Sequence, residues 1–355
     1  LTADHLIMSA NNPLKLVAIG GGTGLSTLLA GLKHYLQADP LMMQASAGPQ
    51  PARNSSPVSL NQSHSLSSLT AIVTVTDDGK SSGRLRGEFG VLPPGDIRNC
   101  LVALASESRL MTRLFKHRFR GDGALGGHSL GNLMLVALNQ MGGDFLAAID
   151  QARVLLDIQA RVLPATLDRV DLSAQVGGKT VRGQTAIKSQ MAFIDHLSLL
   201  PADARALPAA VEAILEADLI TLGPGSLFTS VIANLLIGGI AEAVARSRAK
   251  KIYICNVMTE ADETDGLTAE DHVRQLLKYG RGLQLDYALF NSAPVSAEMR
   301  KRYAAERATA LAPPASATLD STTTRLISLP LASESRAVRH DPERLSRAIF
   351  ATYNS

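Results

Sequence analysis

Residues 16–24 read LVAIGGGTG and lead straight into LSTLLAGLKHY at residues 25–35, a helical run. A short apolar run closed by glycines is the pattern of a buried strand that turns directly into a helix. Three consecutive glycines let the backbone turn sharply and approach an anion closely, while the free amides and positive end of the following helix favour negative charge. Gly20, Gly21, Gly22, Thr23 and Gly24 therefore read as a phosphate-binding loop. Gly20, Gly22 and Gly24 alternate rather than following the dinucleotide G-x-G-x-x-G spacing, and the absence of a lysine after them excludes a Walker A loop. The competing reading is a tight strand-to-helix turn without a ligand.

Outward from this loop, aliphatic and β-branched segments alternate with helical patterns, which predicts an α/β fold: a Rossmann-like, doubly wound, mainly parallel sheet. Candidate strands fall at 15–19, 69–75, 217–222, 251–256 and 285–290, each ending in a Gly, Asp or Asn cluster. Ligands on such sheets bind outside the carboxyl ends of the strands. Residues 1–14 read as an N-terminal extension and 15–303 as the α/β domain. Within that domain, 37–68 is rich in Ser, Asn, Gln and Pro and reads as a disordered polar insertion. Residues 169–186 break the rhythm with a Gly177-Gly178 turn and predict a small antiparallel β-hairpin subdomain. Residues 304–324 read as a linker or variable excursion, and 325–355 as a strand and helix completing the fold. Asp341 is placed to cap that last helix, with Pro342 in its first turn.

The chain has 355 residues, 46% hydrophobic and 19% charged, enough for one large domain or two unequal ones and unlike a disordered chain. A net charge of +3 gives no global nucleic-acid footprint. The one dense basic stretch, residues 113–120, carries Phe115 and Phe119 at helical spacing and reads as an amphipathic helix. Two distant cysteines, Cys100 and Cys255, argue for a reducing, cytoplasmic setting and against a thiolate metal site. No apolar run approaches the ~18 residues of a membrane span, and no secretory signal is visible.

Further motifs sit at strand ends. In residues 74–90, TVTDDGKSSGRLRGEFG, Asp77 and Asp78 offer hard oxygens for Mg²⁺ or a ribose hydroxyl, and alternation along an extended chain lets one of them face a ligand. Gly79, Ser81, Ser82 and Gly83 suit an anion-binding nest, with Arg84 and Arg86 able to grip phosphate. In VLPPGDIRN, residues 91–99, Asp96 reads as an N-cap, with Arg98 and Asn99 in the first turn. In GGHSLGNL, residues 126–133, Ser129 takes the N-cap, placing His128 and Asn132 where they could bind an anion or move a proton. Gly223 and Gly225 in LGPGSLFTS open a second glycine turn followed by Ser226, Thr229 and Ser230. Asn256, Thr259 and Glu263 lie near the next strand end, whereas Thr268 and Asp271 read as a helix cap.

Taken together, these motifs resemble the gluconeogenesis factor (YvcK-like) family of the 2-phospho-L-lactate transferase (CofD) superfamily. The matching stretches are residues 19–26, 76–86, 92–99, 127–133, 222–230 and 256 through 272–273, in order along the chain. The resemblance implies a Rossmann-like core, a homodimer, and kinship with the enzyme that moves a phospholactyl group from a guanosine-diphosphate donor to a deazaflavin hydroxyl. Carried over, Gly20 to Gly24 would hold donor phosphates, Asp77 or Asp78 would bind Mg²⁺ or the acceptor, and Asn99, His128, Asn132 and Ser226 would line the cleft. Departures are Lys80 for a usual Gly, Gln184 for Glu, Phe228 for Tyr, and Ala261-Asp262 for Pro-Gly.

Two functions follow from that resemblance. The first is a regulator that binds a uridine-diphosphate sugar without turnover, is linked to gluconeogenic growth and cell shape, and acts through a protein partner in cell-wall regulation. The second is a Mg²⁺-dependent transferase using a guanosine-type donor, with Asp77, Asp78 and His128 as its catalytic set and Asp77 and Asp78 as its metal ligands. A nicotinamide dehydrogenase is disfavoured by the glycine spacing.

Overall fold

A computed structural model describes residues 13–37, 65–190, 194–319 and 322–355. The opening motif forms β1 (Leu14–Gly20), whose last five residues are all buried, the signature of a strand covered on both faces. The other strands described are β2 (Leu66–Val73), β3 (Arg161–Pro164), β4 (Asp171–Val176), β5 (Lys179–Arg182), β6 (Ile194–Leu200), β7 (Leu219–Leu222), β8 (Lys250–Ile254), β9 (Tyr287–Asn291), β10 (Arg325–Leu329) and a short antiparallel pair, β11 (Ala332–Glu334) and β12 (Val338–His340). Seven of them make one sheet in the order β10-β9-β8-β7-β1-β2-β3, with every ladder parallel. Strand order reverses between β1 and β7, so the crevice beyond their carboxyl ends is the topological switch point where α/β sheets take ligands.

All five expected strands lie in this sheet, with shifted ends. β2 begins at Leu66, so Leu66, Ser67 and Ser68 belong to the sheet rather than to a polar insertion. Of the rest of that expected insertion, 38–64 lies outside the described residues. β3 adds an edge strand of four residues that the sequence pattern did not reveal.

The expected hairpin is present as β4 and β5, joined through Gly177 and Gly178, both at positive φ (54° and 77°). A two-residue turn with that backbone matches the twist of its strands, which is why glycine stands at both positions. β6 pairs on the other side of β4, giving a three-stranded antiparallel sheet instead of a lone hairpin.

The helices that frame the site are α1 (Gly22–Leu32), α2 (Lys80–Phe89), α3 (Gly95–Leu104), α4 (Leu130–Gly142), α5 (Ala269–Tyr279) and α6 (Pro342–Tyr353). Ser129, Thr268 and Asp341 cap α4, α5 and α6 through their side chains, as expected. β10 closes the sheet beside β9, and α6 packs on the face of α1, with the Tyr35 and Phe350 rings 4.5 Å apart. The basic stretch departs from its expected helix: Leu110–Lys116 is helical, His117 is already extended, and Phe119 lies beyond the end. Among the described residues no helix is long and apolar enough to cross a membrane.

Candidate functional site

The two glycine loops meet at the switch point and press on each other. A Cβ on Gly24 would fall 2.5 Å from the Pro224 carbonyl oxygen and 2.7 Å from the Gly225 nitrogen. Only glycine lets α1 start this close to the following loop, which the cis Gly223-Pro224 peptide turns. Asn234 ties the arrangement from below, donating to the carbonyls of Gly20 (3.0 Å) and Ser230 (2.6 Å). Gly20, Gly21, Gly22, Gly223 and Gly225 thus shape the crevice by backbone contact, while Thr23, Gly24 and Pro224 line a cavity of about 200 Å³. Asn256, Glu260, Arg339 and His340 complete that cavity.

A wider cleft of about 490 Å³ opens beside it. Its walls come from the start of α2 (Ser81, Ser82), the start of α3 (Asp96, Arg98, Asn99), Asn132 on α4, and the short helix Gln184–Lys188. Asp77 faces this cleft, and its Oδ1 accepts from the Gly79 N–H at 3.0 Å. Asp78 is turned away: its Oδ1 accepts from both the N–H (2.9 Å) and the hydroxyl (2.6 Å) of Thr185, pinning the antiparallel subdomain to the core. The two neighbouring carboxylates therefore have different hydrogen-bond partners, Gly79 for Asp77 and Thr185 for Asp78. Among the described residues, no cluster of three or more His, Cys, Asp or Glu side chains converges as a metal site.

The partner of Asp77 is Asp96, whose sequence context suggests only a helix cap. Pro94 takes the N-cap of α3 instead. This frees the Asp96 carboxylate to reach the first loop, where it accepts from the Gly22 N–H and from the Asn99 amide. Burial, with the Asp77 charge next to it, pushes the Asp96 carboxyl up to about 6. One of two neighbouring carboxyls in the cleft thus holds or releases a proton near neutrality.

Ser81, His128 and Asn132 form a buried triplet. The Asn132 amide donates to the Ser81 hydroxyl (3.0 Å), and that hydroxyl lies 2.9 Å from Nδ1 of His128. Burial, then the Arg84 charge, lowers the pKa of His128, which favours the neutral ring beside the Ser81 hydroxyl. Ser81 and Asn132 line the cleft, while His128 stands behind Ser81 and touches the lining through it. Asn132 keeps a buried Oδ1 without a partner among the described residues.

The expected arginines are not the ones on the cleft. Arg84 donates to the Gly126 carbonyl at 2.6 Å, and Arg86 is ion-paired to Asp171 at 2.6 Å. Arg98, Arg118, Lys80 and Lys188 supply the cleft's positive charge. Arg118 was hidden in the basic stretch, and nothing in the short helix around Lys188 marks it as a site residue.

Between the two cavities runs a polar partition. Ser226 donates to Glu260 at 2.6 Å, Asn256 donates to Glu260 at 3.0 Å, and Lys188 lies 3.2 Å from Glu263 and 3.6 Å from Glu260. Burial and then the Glu263 charge raise the pKa of Glu260. Glu263 is fully buried and accepts from the N–H groups of Phe228 and Thr229 and from the Thr229 hydroxyl. It therefore holds the loop after β7 rather than reaching a ligand. Thr259 lines the smaller cavity and bonds Thr309, so Thr309, Ala310 and Leu311 of the expected excursion lie along the loop after β8.

The 2-phospho-L-lactate transferase CofD family model matches residues 16–331. The gluconeogenesis factor of Halalkalibacterium halodurans is 42% identical over 294 residues, spanning 82% of this chain and 82% of that protein. The gluconeogenesis factor of Bacillus subtilis is 43% identical over 296 residues, spanning 83% of this chain and 84% of its own length. A crystal structure of a Bacillus halodurans protein superposes with a TM-score of 0.83 at 38% identity, over 96% of this chain and 100% of that one.

Proposed function

The chain belongs to the 2-phospho-L-lactate transferase CofD family, among its gluconeogenesis factors, and from that premise we propose that it is a cytoplasmic, homodimeric regulator that binds a nucleoside-diphosphate sugar. The observation that carries this reading is the pair of cavities at the strand carboxyl ends, the smaller lined by the two glycine loops and separated from the wider by the Ser226, Glu260 and Lys188 partition. In this reading the nucleoside occupies the smaller cavity, near the Asn256 amide and the Glu260 carboxyl. The diphosphate crosses Thr23 and Gly24 at the positive end of α1. The sugar enters the wider cleft, where Asp77, Asn99 and Asn132 offer hydroxyl partners. Ligand occupancy is then relayed to a protein partner in the control of cell shape during gluconeogenic growth.

The test is the shift in thermal unfolding with uridine-diphosphate sugars, guanosine nucleotides and NAD, each with and without Mg²⁺. A ligand at ~100 times its Kd stabilises by about 2.7 kcal/mol. Selective stabilisation by a uridine-diphosphate sugar supports the sensor, and no response to any nucleotide rejects it.

One observation favours the second reading, a transferase. The raised carboxyl of Asp96 beside Asp77 is the arrangement by which one carboxyl takes a proton from an acceptor hydroxyl while its neighbour stays charged. Two hard carboxylate ligands plus ligand phosphates would suit Mg²⁺, and that pair would be Asp77 with Asp96, since Asp78 is committed to Thr185. Bound Mg²⁺ would neutralise developing phosphate charge. Turnover of a guanosine-diphosphate donor in the presence of Mg²⁺ would establish this activity.

A further inference from the structure

Lys80, the first residue of α2, breaks two local rules at once. Its backbone is left-handed, with φ +44°, a conformation that costs an L side chain and costs glycine nothing. Its ammonium also sits at the positive end of a helix dipole, where a cation is unfavourable. Nothing nearby offsets this, since the side chain is exposed and makes no hydrogen bond or ion pair among the described residues. Residues held against local preference without structural return cluster where a ligand supplies the missing interaction.

The surroundings say what that ligand carries. Lys80 lines the wider cleft, whose other cations are Arg98, Arg118 and Lys188. Lys188 is neutralised by Glu260 and Glu263, whereas Arg98 keeps a buried Nε without a partner among the described residues. Arg98 and Arg118 thus bring two further cations to the same wall, opposite the Asp77 and Asp96 carboxylates. An anion entering here would meet the unpartnered Nε of Arg98, and Lys80 adds one more positive charge at the rim.

We propose that Lys80 is a specificity-determining residue of the wider cleft, selecting ligands that present a phosphate group there in addition to whatever the glycine loop holds. This rests on the reading that the cleft takes a ligand. The probe is inorganic pyrophosphate, measured by calorimetry and thermal unfolding on the full chain and on Lys80→Gly, Lys80→Gln, Lys80→Arg and Arg98→Met. Lys80→Gly is expected to raise the unfolding temperature, because it removes both local penalties, while weakening pyrophosphate about five- to tenfold. Lys80→Gln keeps the backbone strain and loses the charge, so affinity falls without the full gain in stability. Lys80→Arg retains both affinity and strain, and Arg98→Met loses binding because it removes the cation deeper in the cleft. Pyrophosphate affinity unchanged in Lys80→Gly and Lys80→Gln, with Arg98→Met still impaired, overturns the role of Lys80 and leaves the cleft standing. Pyrophosphate that binds neither the parent chain nor any variant, or binds Arg98→Met as well as the parent, overturns the cleft as a phosphate site and this proposal with it.

Discussion

Nζ of Lys188 lies 3.2 Å from Oε2 of Glu263, a carboxylate with no exposed surface. The contact joins the short helix of the antiparallel subdomain to the loop after β8, whose Glu263 in turn holds Phe228 and Thr229 of the loop after β7, and so joins a wall of the cleft to the switch point. Burial works against the Lys188 charge, yet the Glu263 and Glu260 carboxylates hold its pKa well above the ordinary lysine range. Removing one member of such a pair leaves a buried charge unmatched, which costs more than the pair contributes. Lys188→Met is therefore expected to lower unfolding stability by about 3 kcal/mol, with Glu263→Gln on the same background recovering part of the loss. Denaturant unfolding of the single and double variants checks this. A neutral Lys188→Met would mean that the bonds from Phe228 and Thr229 suffice for Glu263.

Gly24 and Gly87 make opposite predictions for the same substitution. At Gly24 the new methyl meets the Pro224 carbonyl oxygen at 2.5 Å, backbone that has no room to yield. Gly24→Ala is expected to lower the unfolding temperature by several degrees and to abolish ligand stabilisation, because the two loops separate. Gly87 is exposed within α2, and its methyl meets nothing within 4 Å. Gly87→Ala is expected to stabilise by about 0.5–1 kcal/mol. Equal effects at the two positions would contradict the close packing of the loops.

Asp77→Asn and Asp78→Asn should separate binding from architecture. Asp77 faces the cleft and spends one bond on Gly79, so its amide variant should fold normally and lose Mg²⁺- or hydroxyl-dependent binding. Asp78 accepts two bonds from Thr185. Its amide should cost about 1–2 kcal/mol and loosen the antiparallel subdomain, read as faster hydrogen exchange in β4 and β5. The reverse pattern, with Asp78→Asn alone losing the ligand, would show that the loop rearranges on binding.

Five strands were legible because a parallel sheet buries both faces and so writes continuous apolar runs ended by turn residues. β3 and β6 were not: RVLP is too short at the sheet edge to show a period, and IDHLSLL alternates around a surface that faces both core and solvent. The helix caps at Ser129, Thr268 and Asp341 were readable because capping is local. The role of Asp96 was not legible for the complementary reason. Its neighbours favour a cap, and its actual partner, Gly22, is far away in sequence and comes near only once β1 and α3 are packed. Lys80 and Asp262 replace expected glycines yet keep left-handed backbones (φ 44° and 67°), so the loop shape survives the substitutions. Of the site's charges, Arg98 was noted as a first-turn residue, whereas Lys188, Glu260 and Arg118 came to light only through tertiary packing.

Two of the groups through which stability should respond to pH, Asp96 and His340, act with opposite sign. Asp96 is raised to about 6 in the folded chain, so the native state binds its proton more tightly than the unfolded chain does. Its contribution is fully present below the unfolded carboxyl value of about 3.9 and is lost as pH rises through 6. His340 donates a ring N–H to the Cys255 carbonyl, and burial lowers its pKa to about 4. Its contribution is present above the unfolded imidazole value of about 6.5 and is lost as pH falls toward 4. Between pH 4 and 6 the two slopes, each at most about 1.4 kcal/mol per unit, oppose one another. Asp96→Asn should unmask stability that rises with pH across this window, and His340→Gln should unmask stability that falls. Urea unfolding at half-unit steps from pH 4.5 to 7 reads both slopes. Variants that keep the parent's slope would show that neither group titrates differently in the folded and unfolded states, and would remove the argument that Asp96 exchanges a proton near neutrality.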